Sequence, residues 1–156
     1  MNRHLLIIAL FALLGFAACQ KDEAGNTPPS IDNLVASPNT VRNGDPRDTV
    51  YVTFKVTDQN GDLGNDPYKK EFDVYLKDSR DGNETGFPFP EIPKDLQDAR
   101  KGITAFATIK INAGLFLQLR QDRPDGDTMY YEVYVKDRAG NISNKLSTQL
   151  IYITPQ

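Results

Sequence analysis

The chain has 156 residues, with 18 Lys and Arg against 21 Asp and Glu and a formal charge of −3. That length gives one domain able to bury a core unaided, and the mild acidity argues against a nucleic-acid surface, whose phosphates demand clustered Lys and Arg. The single cysteine, Cys19, and the single histidine, His4, lie at the N-terminus, which leaves the rest of the chain without Ser-His-Asp or Cys-His nucleophiles and without histidine or thiolate zinc ligands.

Met1–His4 carries Arg3, Leu5–Leu14 is an apolar run, and Gly15-Phe16-Ala17-Ala18 precedes Cys19. This order reads as a cleaved export signal over 1–18, too short to span a bilayer as a mature helix. A cysteine directly behind it resembles the lipidation site of bacterial lipoproteins. That resemblance implies that Cys19 becomes the lipid-carrying first residue of the mature protein. Cys19-Gln20-Lys21-Asp22-Glu23 is similar to the acidic signal of surface-exposed lipoproteins of the Bacteroidetes, which implies an outer-membrane location at the cell surface. Phe16 departs from the usual Leu, and only two acidic residues follow Lys21. The alternative for Lys21–Glu23 is a solvated charge cluster on a tether. Residues 20–30 are polar and contain Gly, Pro and Ser, so 19–30 reads as anchor and linker ahead of a domain over 31–156.

From Ile31 the pattern has period two. Seven strands, A to G, are expected: Ile31–Ser37, Val50–Thr57, Phe72–Lys77, Ile103–Ile111, Leu115–Leu119, Tyr130–Lys136 and Ser147–Thr154. In the second, Val50, Val52, Phe54 and Val56 share one face. In the third, Phe72, Val74 and Leu76 share one, and in the sixth Tyr131, Val133 and Val135 do. Such alternation places one face on a core and the other in water. Asn43-Gly44-Asp45-Pro46, Asn60-Gly61-Asp62, Asp81-Gly82-Asn83, Pro124-Asp125-Gly126 and Ala139-Gly140-Asn141 supply turn chemistry between them. The one helical candidate is Lys94–Lys101, after Pro93.

The expectation is an all-β, seven-strand antiparallel sandwich of immunoglobulin-like topology. Tyr131–Ser143 resembles the last hairpin of fibronectin type III-like and bacterial Ig-like domains. Val56–Gly64 is similar to the end of strand B in Ig-like lipoproteins of the Bacteroidetes. Both resemblances imply fold and leave function open.

Asp58, Asn60, Asp62 and Asp66 space oxygens along one turn, an arrangement that suits a hard cation such as calcium. Leu63 and Lys69 stand where an EF-hand needs Gly and Glu, so it is no EF-hand. In the expected topology the ends of strands B and F reach one pole, bringing Asp58 towards Asp137, with Asn141 joining them. The alternative is turn formation alone by Asp, Asn and Gly.

The long segment Asp81–Arg100 holds Phe87-Pro88-Phe89-Pro90-Glu91-Ile92-Pro93, readable as a recognition surface or as a cap on the open edge of the core. Tyr75, Tyr130 and Tyr134 are expected to face outward from neighbouring strands, as a face for sugars or a partner protein or as cross-strand pairs that stabilise the sheet. Glu23, Glu71, Glu84, Glu91 and Glu132 show no spacing that singles out a glycosidase pair. The expected role is therefore a non-catalytic binding or structural module of an outer-membrane complex with a protein or glycan partner, anchored in the membrane through Cys19. A carbohydrate-binding accessory lipoprotein is the alternative, and a hydrolase using carboxylates alone stands behind both. No cofactor is required, and calcium is the one candidate.

Overall fold

The alternating run Val50–Thr57 forms the middle of a three-stranded sheet, and the rest of the fold is arranged around it. The computed structural model describes residues 27–64, 71–89, 92 and 102–156. Its elements are β1 (Ser30–Ser37), β2 (Thr40–Arg42), β3 (Thr49–Asp58), β4 (Val74–Asp78), β5 (Glu84–Phe87), β6 (Ile103–Asn112), α1 (Ala113–Phe116), β7 (Asp127–Met129), β8 (Tyr131–Val135), β9 (Leu146–Ser147) and β10 (Ile151–Thr154). The chain is thus mostly β, as the alternation requires. The strands form three sheets, ordered β1-β3-β6, β2-β10-β7 and β5-β4-β8-β9.

Strand β3 pairs antiparallel with β6 from Thr49↔Asn112 to Asp58↔Ile103. Its even-numbered residues Val50, Val52, Phe54 and Val56 are 0–1 % exposed. They join Val74 and Leu76 of β4, Val133 and Val135 of β8, and Ile151 and Ile153 of β10 in one hydrophobic cluster fed by all three sheets. Full burial of each such side chain contributes roughly 1.5–3 kcal/mol, so this cluster is the main source of stability. One pairing is parallel: β10 runs beside β2 with Tyr152↔Thr40, Ile153↔Val41 and Thr154↔Arg42 in register.

The structure departs from the sequence pattern in four places. The expected strand Leu115–Leu119 begins in a short helix, because Asn112 caps it. Its Oδ1 accepts the Gly114 N–H at 3.0 Å while its Nδ2 donates to the Pro46 carbonyl at 2.8 Å. Leu117 is buried but Leu115 is 74 % exposed, so the leucines do not share a face. The expected strand Ser147–Thr154 is broken between β9 and β10. There Thr148 Oγ1 accepts the Tyr131 N–H, and the Gln149 amide bonds both the N–H and the C=O of Ala36. The ladder is thereby interrupted, and the chain passes from one sheet to the next. Phe72 leaves the core face and is 47 % exposed, whereas Asp73 is buried with its carboxylate accepting the Phe89 N–H at 3.0 Å. Regular pairing of β4 begins only at Val74, so the alternation cannot be extended back to Phe72. Finally, β2, β5 and β7 are three or four residues long and carry too few alternations to be read. The expected helix Lys94–Lys101 lies outside the described residues.

Candidate functional site

Strand β3 ends at Asp58, and Asp137 follows shortly after the end of β8. Each closes its own turn. The Asp58 carboxylate accepts the N–H groups of Asn60 (3.2 Å) and Leu63 (3.0 Å), which draws Leu63 fully into the core. The Asp137 carboxylate accepts the Asn141 N–H at 2.7 Å and its Nδ2 at 2.8 Å. The two turns are then tied together: the Arg138 N–H donates to the Asp62 carbonyl at 3.0 Å, and the Arg138 guanidinium reaches the carbonyls of Gly61 and Gly64. The structure therefore brings Asp58, Asn60, Asp62, Asp137 and Asn141 to one pole. Asp66 lies outside the described residues.

This pole is electrostatically loaded. Asp58 is 0 % and Asp137 2 % exposed, and Asp62 is half-buried. Burial, and then the charges of Asp137 and Asp58, push the Asp62 carboxyl up to about 6, against the pull of Arg138. Asn60 Oδ1, Asn60 Nδ2 and Asp62 Oδ1 are buried without a hydrogen-bond partner. Among the described residues no three histidine, cysteine or carboxylate side chains form a group able to hold a metal by themselves.

The raised Asp62 carboxyl carries a pH signature. The folded chain keeps a proton there that the unfolded chain releases near pH 4, so folding is favoured at low pH and loses stability as pH rises from about 4 through about 6. Asp45, lowered to about 2, and Asp48 and Asp127, also lowered, act in the opposite sense only below about pH 4. In chelator-containing buffer the melting temperature is expected to be higher at pH 5 than at pH 7. Asp62→Asn should flatten that profile, as circular dichroism melts at both pH values would reveal. A wild-type profile that is flat or rises over this window contradicts the argument.

A second group of side chains lies on the sheet β5-β4-β8-β9. Tyr75 and Tyr134 are register neighbours, and their rings stack at 4.9 Å with 10° between planes. Tyr75 Oη donates to the Phe72 carbonyl at 3.0 Å. Gly86 is the partner of Tyr75 on β5, and a Cβ there would come within 2.5 Å of the Phe72 ring. The absence of a side chain at Gly86 is what lets Phe72 lie beside the pair. Lys145 Nζ stands 5.0 Å over the Tyr134 ring and 3.2 Å from Glu132 Oε1. Burial, with help from Glu84, raises the Tyr134 hydroxyl to about 12, so it remains a neutral donor at neutral pH. Tyr130 stands apart at the junction of β7 and β8, 40 % exposed, with its N–H on Ser79 Oγ at 2.9 Å.

Of the expected recognition phenylalanines, Phe89 is buried and Phe87 packs on Phe116 with ring centroids 6.2 Å apart. Ile92 is buried with them. These residues complete the core, the alternative their pattern had left open. Sequence reasoning missed Phe72, which it had assigned to the core. It also missed an ion-pair cluster at Arg80, Asp78, Asp127 and Arg120, whose members have no shared local pattern. Cys19 lies outside the described residues. Among the described residues no helix is long and apolar enough to cross a membrane. No family model matches the chain, and no curated protein matches it.

Proposed function

We propose that the chain is a lipid-anchored lipoprotein of the kind displayed on the surface of Bacteroidetes, and that its immunoglobulin-like sandwich is a non-catalytic binding module. The anchor rests on Cys19 standing directly behind Gly15–Ala18. The immunoglobulin-like reading is supported by the parallel pairing of β2 with β10 and by the separate sheets β1-β3-β6 and β5-β4-β8-β9 drawing on one core. The observation that carries the binding role is the row formed by Phe72, Tyr75 and Tyr134. Aromatic side chains combine large apolar faces with polar edges, the combination found at recognition surfaces.

Membrane fractionation of the Cys19→Ala protein should move it from the membrane to the soluble fraction. A pull-down from native membranes should recover a partner with the wild-type chain and lose it with Tyr75→Ala/Tyr134→Ala. Unchanged membrane association of Cys19→Ala sinks the anchor, and an equal yield from the double variant sinks the aromatic row as the binding face. The row also favours a second reading, recognition of sugars by stacking, and a glycan array without signal above background removes it.

A further inference from the structure

The two edges of the sheet β1-β3-β6 are built differently. The β1 edge is closed. Its register on β3 shifts between Asp32 and Val35, and two side-chain amides occupy its outer backbone groups. Asn144 bonds the N–H and the C=O of Ile31 at 2.8 and 2.9 Å, and Gln149 bonds those of Ala36 at 3.1 and 2.6 Å. The β6 edge carries no such device. Its 10 residues stay in unbroken register with β3 from Ile103 to Asn112, include no proline and hold one charge, Lys110. Among the described residues no strand pairs with its far side. Phe106, near its middle, is 81 % exposed, and Thr104 and Thr108 flank it on the same outward face. An extended edge with open N–H and C=O groups is a template for another strand, and folded proteins normally blunt one with charge, proline or a bulge.

We infer that β6 is a self-association edge, on which a second copy of the chain adds its own β6 in antiparallel order around a two-fold axis near Ala107. This pairing sets Phe106 opposite Thr108 of the second copy and diagonal to its Phe106, a separation that aromatic side chains span. It keeps Ala107, Ile109 and Ile111 of both copies on the inner face, so each core stays covered. It also separates like charges. Each Lys110 moves towards the end of the other copy's sheet where Ile103 pairs with Asp58, the end that carries the acidic pole. That complementarity favours a second copy over a foreign strand. An isologous contact of this kind stops at two copies, because the other edge of the sheet is the clamped β1. An edge about 34 Å long and about 10 Å deep offers about 340 Å² per copy, below the roughly 800 Å² of a stable complex, so the dimer is weak and reversible. The aromatic row lies on the other sheet, so the inference goes beyond the proposed binding face and either can fail without the other.

Sedimentation equilibrium of the full chain tests it, with amide exchange as the positional readout. A monomer–dimer equilibrium is expected, with a dissociation constant of about 0.1 mM, that of a weak transient contact. Between about 5 μM and about 500 μM protein (roughly twentyfold below to fivefold above that constant) alternate amides of β6 should slow their exchange, as a new ladder requires. Phe106→Lys places two added cations beside the axis and should raise the constant by about tenfold or more. Because that side chain is exposed, the melting temperature should stay at the wild-type value. Ile142→Lys, at an exposed apolar residue outside the sheet β1-β3-β6, should leave association unchanged. Should Phe106→Lys fail to fold, Thr108→Lys gives the same readout. A wild-type chain that stays monomeric across this range overturns the inference. So does association that neither lysine variant weakens, or that leaves the β6 amides unprotected. A monomeric chain whose partner from native membranes is lost with Phe106→Lys gives the edge to a foreign strand and overturns self-pairing.

Discussion

Replacing Arg80 by alanine is expected to lower stability by about 3–5 kcal/mol, the range for removing one partner of a buried ion pair. The Arg80 side chain is only 9 % exposed and grips Asp78 with Nη2–Oδ2 at 2.6 Å and Nε to both carboxylate oxygens at 3.0 and 3.1 Å. Its Nη1 also donates to the Gln118 carbonyl at 2.8 Å and lies 3.8 Å from Asp127, whose side chain is 3 % exposed. Alanine would leave Asp78 without its counter-charge and the carbonyls of the segment behind α1 without their donor. Urea denaturation measures the loss. The double variant Arg80→Met/Asp78→Asn should lose less than the sum of the single changes, because removing both charges leaves neither one stranded. A loss under about 1 kcal/mol for Arg80→Ala means that the pair behaves as a surface one.

Gly102→Val should cost about 3 kcal/mol or more. Gly102 has φ +63, where a β-branched residue is strained by roughly 1–3 kcal/mol. Its missing Cβ would also stand 2.8 Å from the Asp58 carbonyl oxygen and 3.1 Å from Gln59 Cα. Those atoms are backbone and cannot rotate away, so either the end of β3 or the start of β6 has to shift. Because that shift reaches Asp58, the substitution should loosen the acidic pole as well as the sheet. Thermal melts quantify the first effect, and faster amide exchange at Leu63, whose N–H is held by Asp58, reports the second. Near-wild-type stability would mean that the approach of the two strands is slack.

The centre of each major strand was legible because a single physical cause governs it: one face of β3, β6 and β8 must meet the core, and period two follows. Legibility ended where hydrogen bonds from side chains overrule that period. Asn112 turns the chain into α1 and removes Leu115 from the core. Thr148 and Gln149 take ladder positions between β9 and β10, and Asp73 is buried at a position that the alternation assigns to water, while Phe72 is not buried. The meeting of Asp58 with Asp137 could be foreseen, since turn residues mark strand ends and strand order then brings two ends together. The stacking of Tyr75 on Tyr134 could be foreseen on the same ground. Phe72 could not, because its position depends on Gly86 of β5, a strand too short to announce itself. The Arg80 cluster joins the turn after β4 to β7 across a long stretch of chain, and no local spacing encodes such a pairing.

The parallel run of β2 beside β10 has a mechanical consequence. These strands lie close to opposite ends of the folded chain, and a pull applied between those ends drives them in opposite directions along a shared axis. The load falls on the Tyr152↔Thr40, Ile153↔Val41 and Thr154↔Arg42 registers together rather than on one after another. A ladder strained lengthwise must yield as a unit, whereas a hairpin peeled from its tip gives way pair by pair. The domain is therefore built to resist traction along its length.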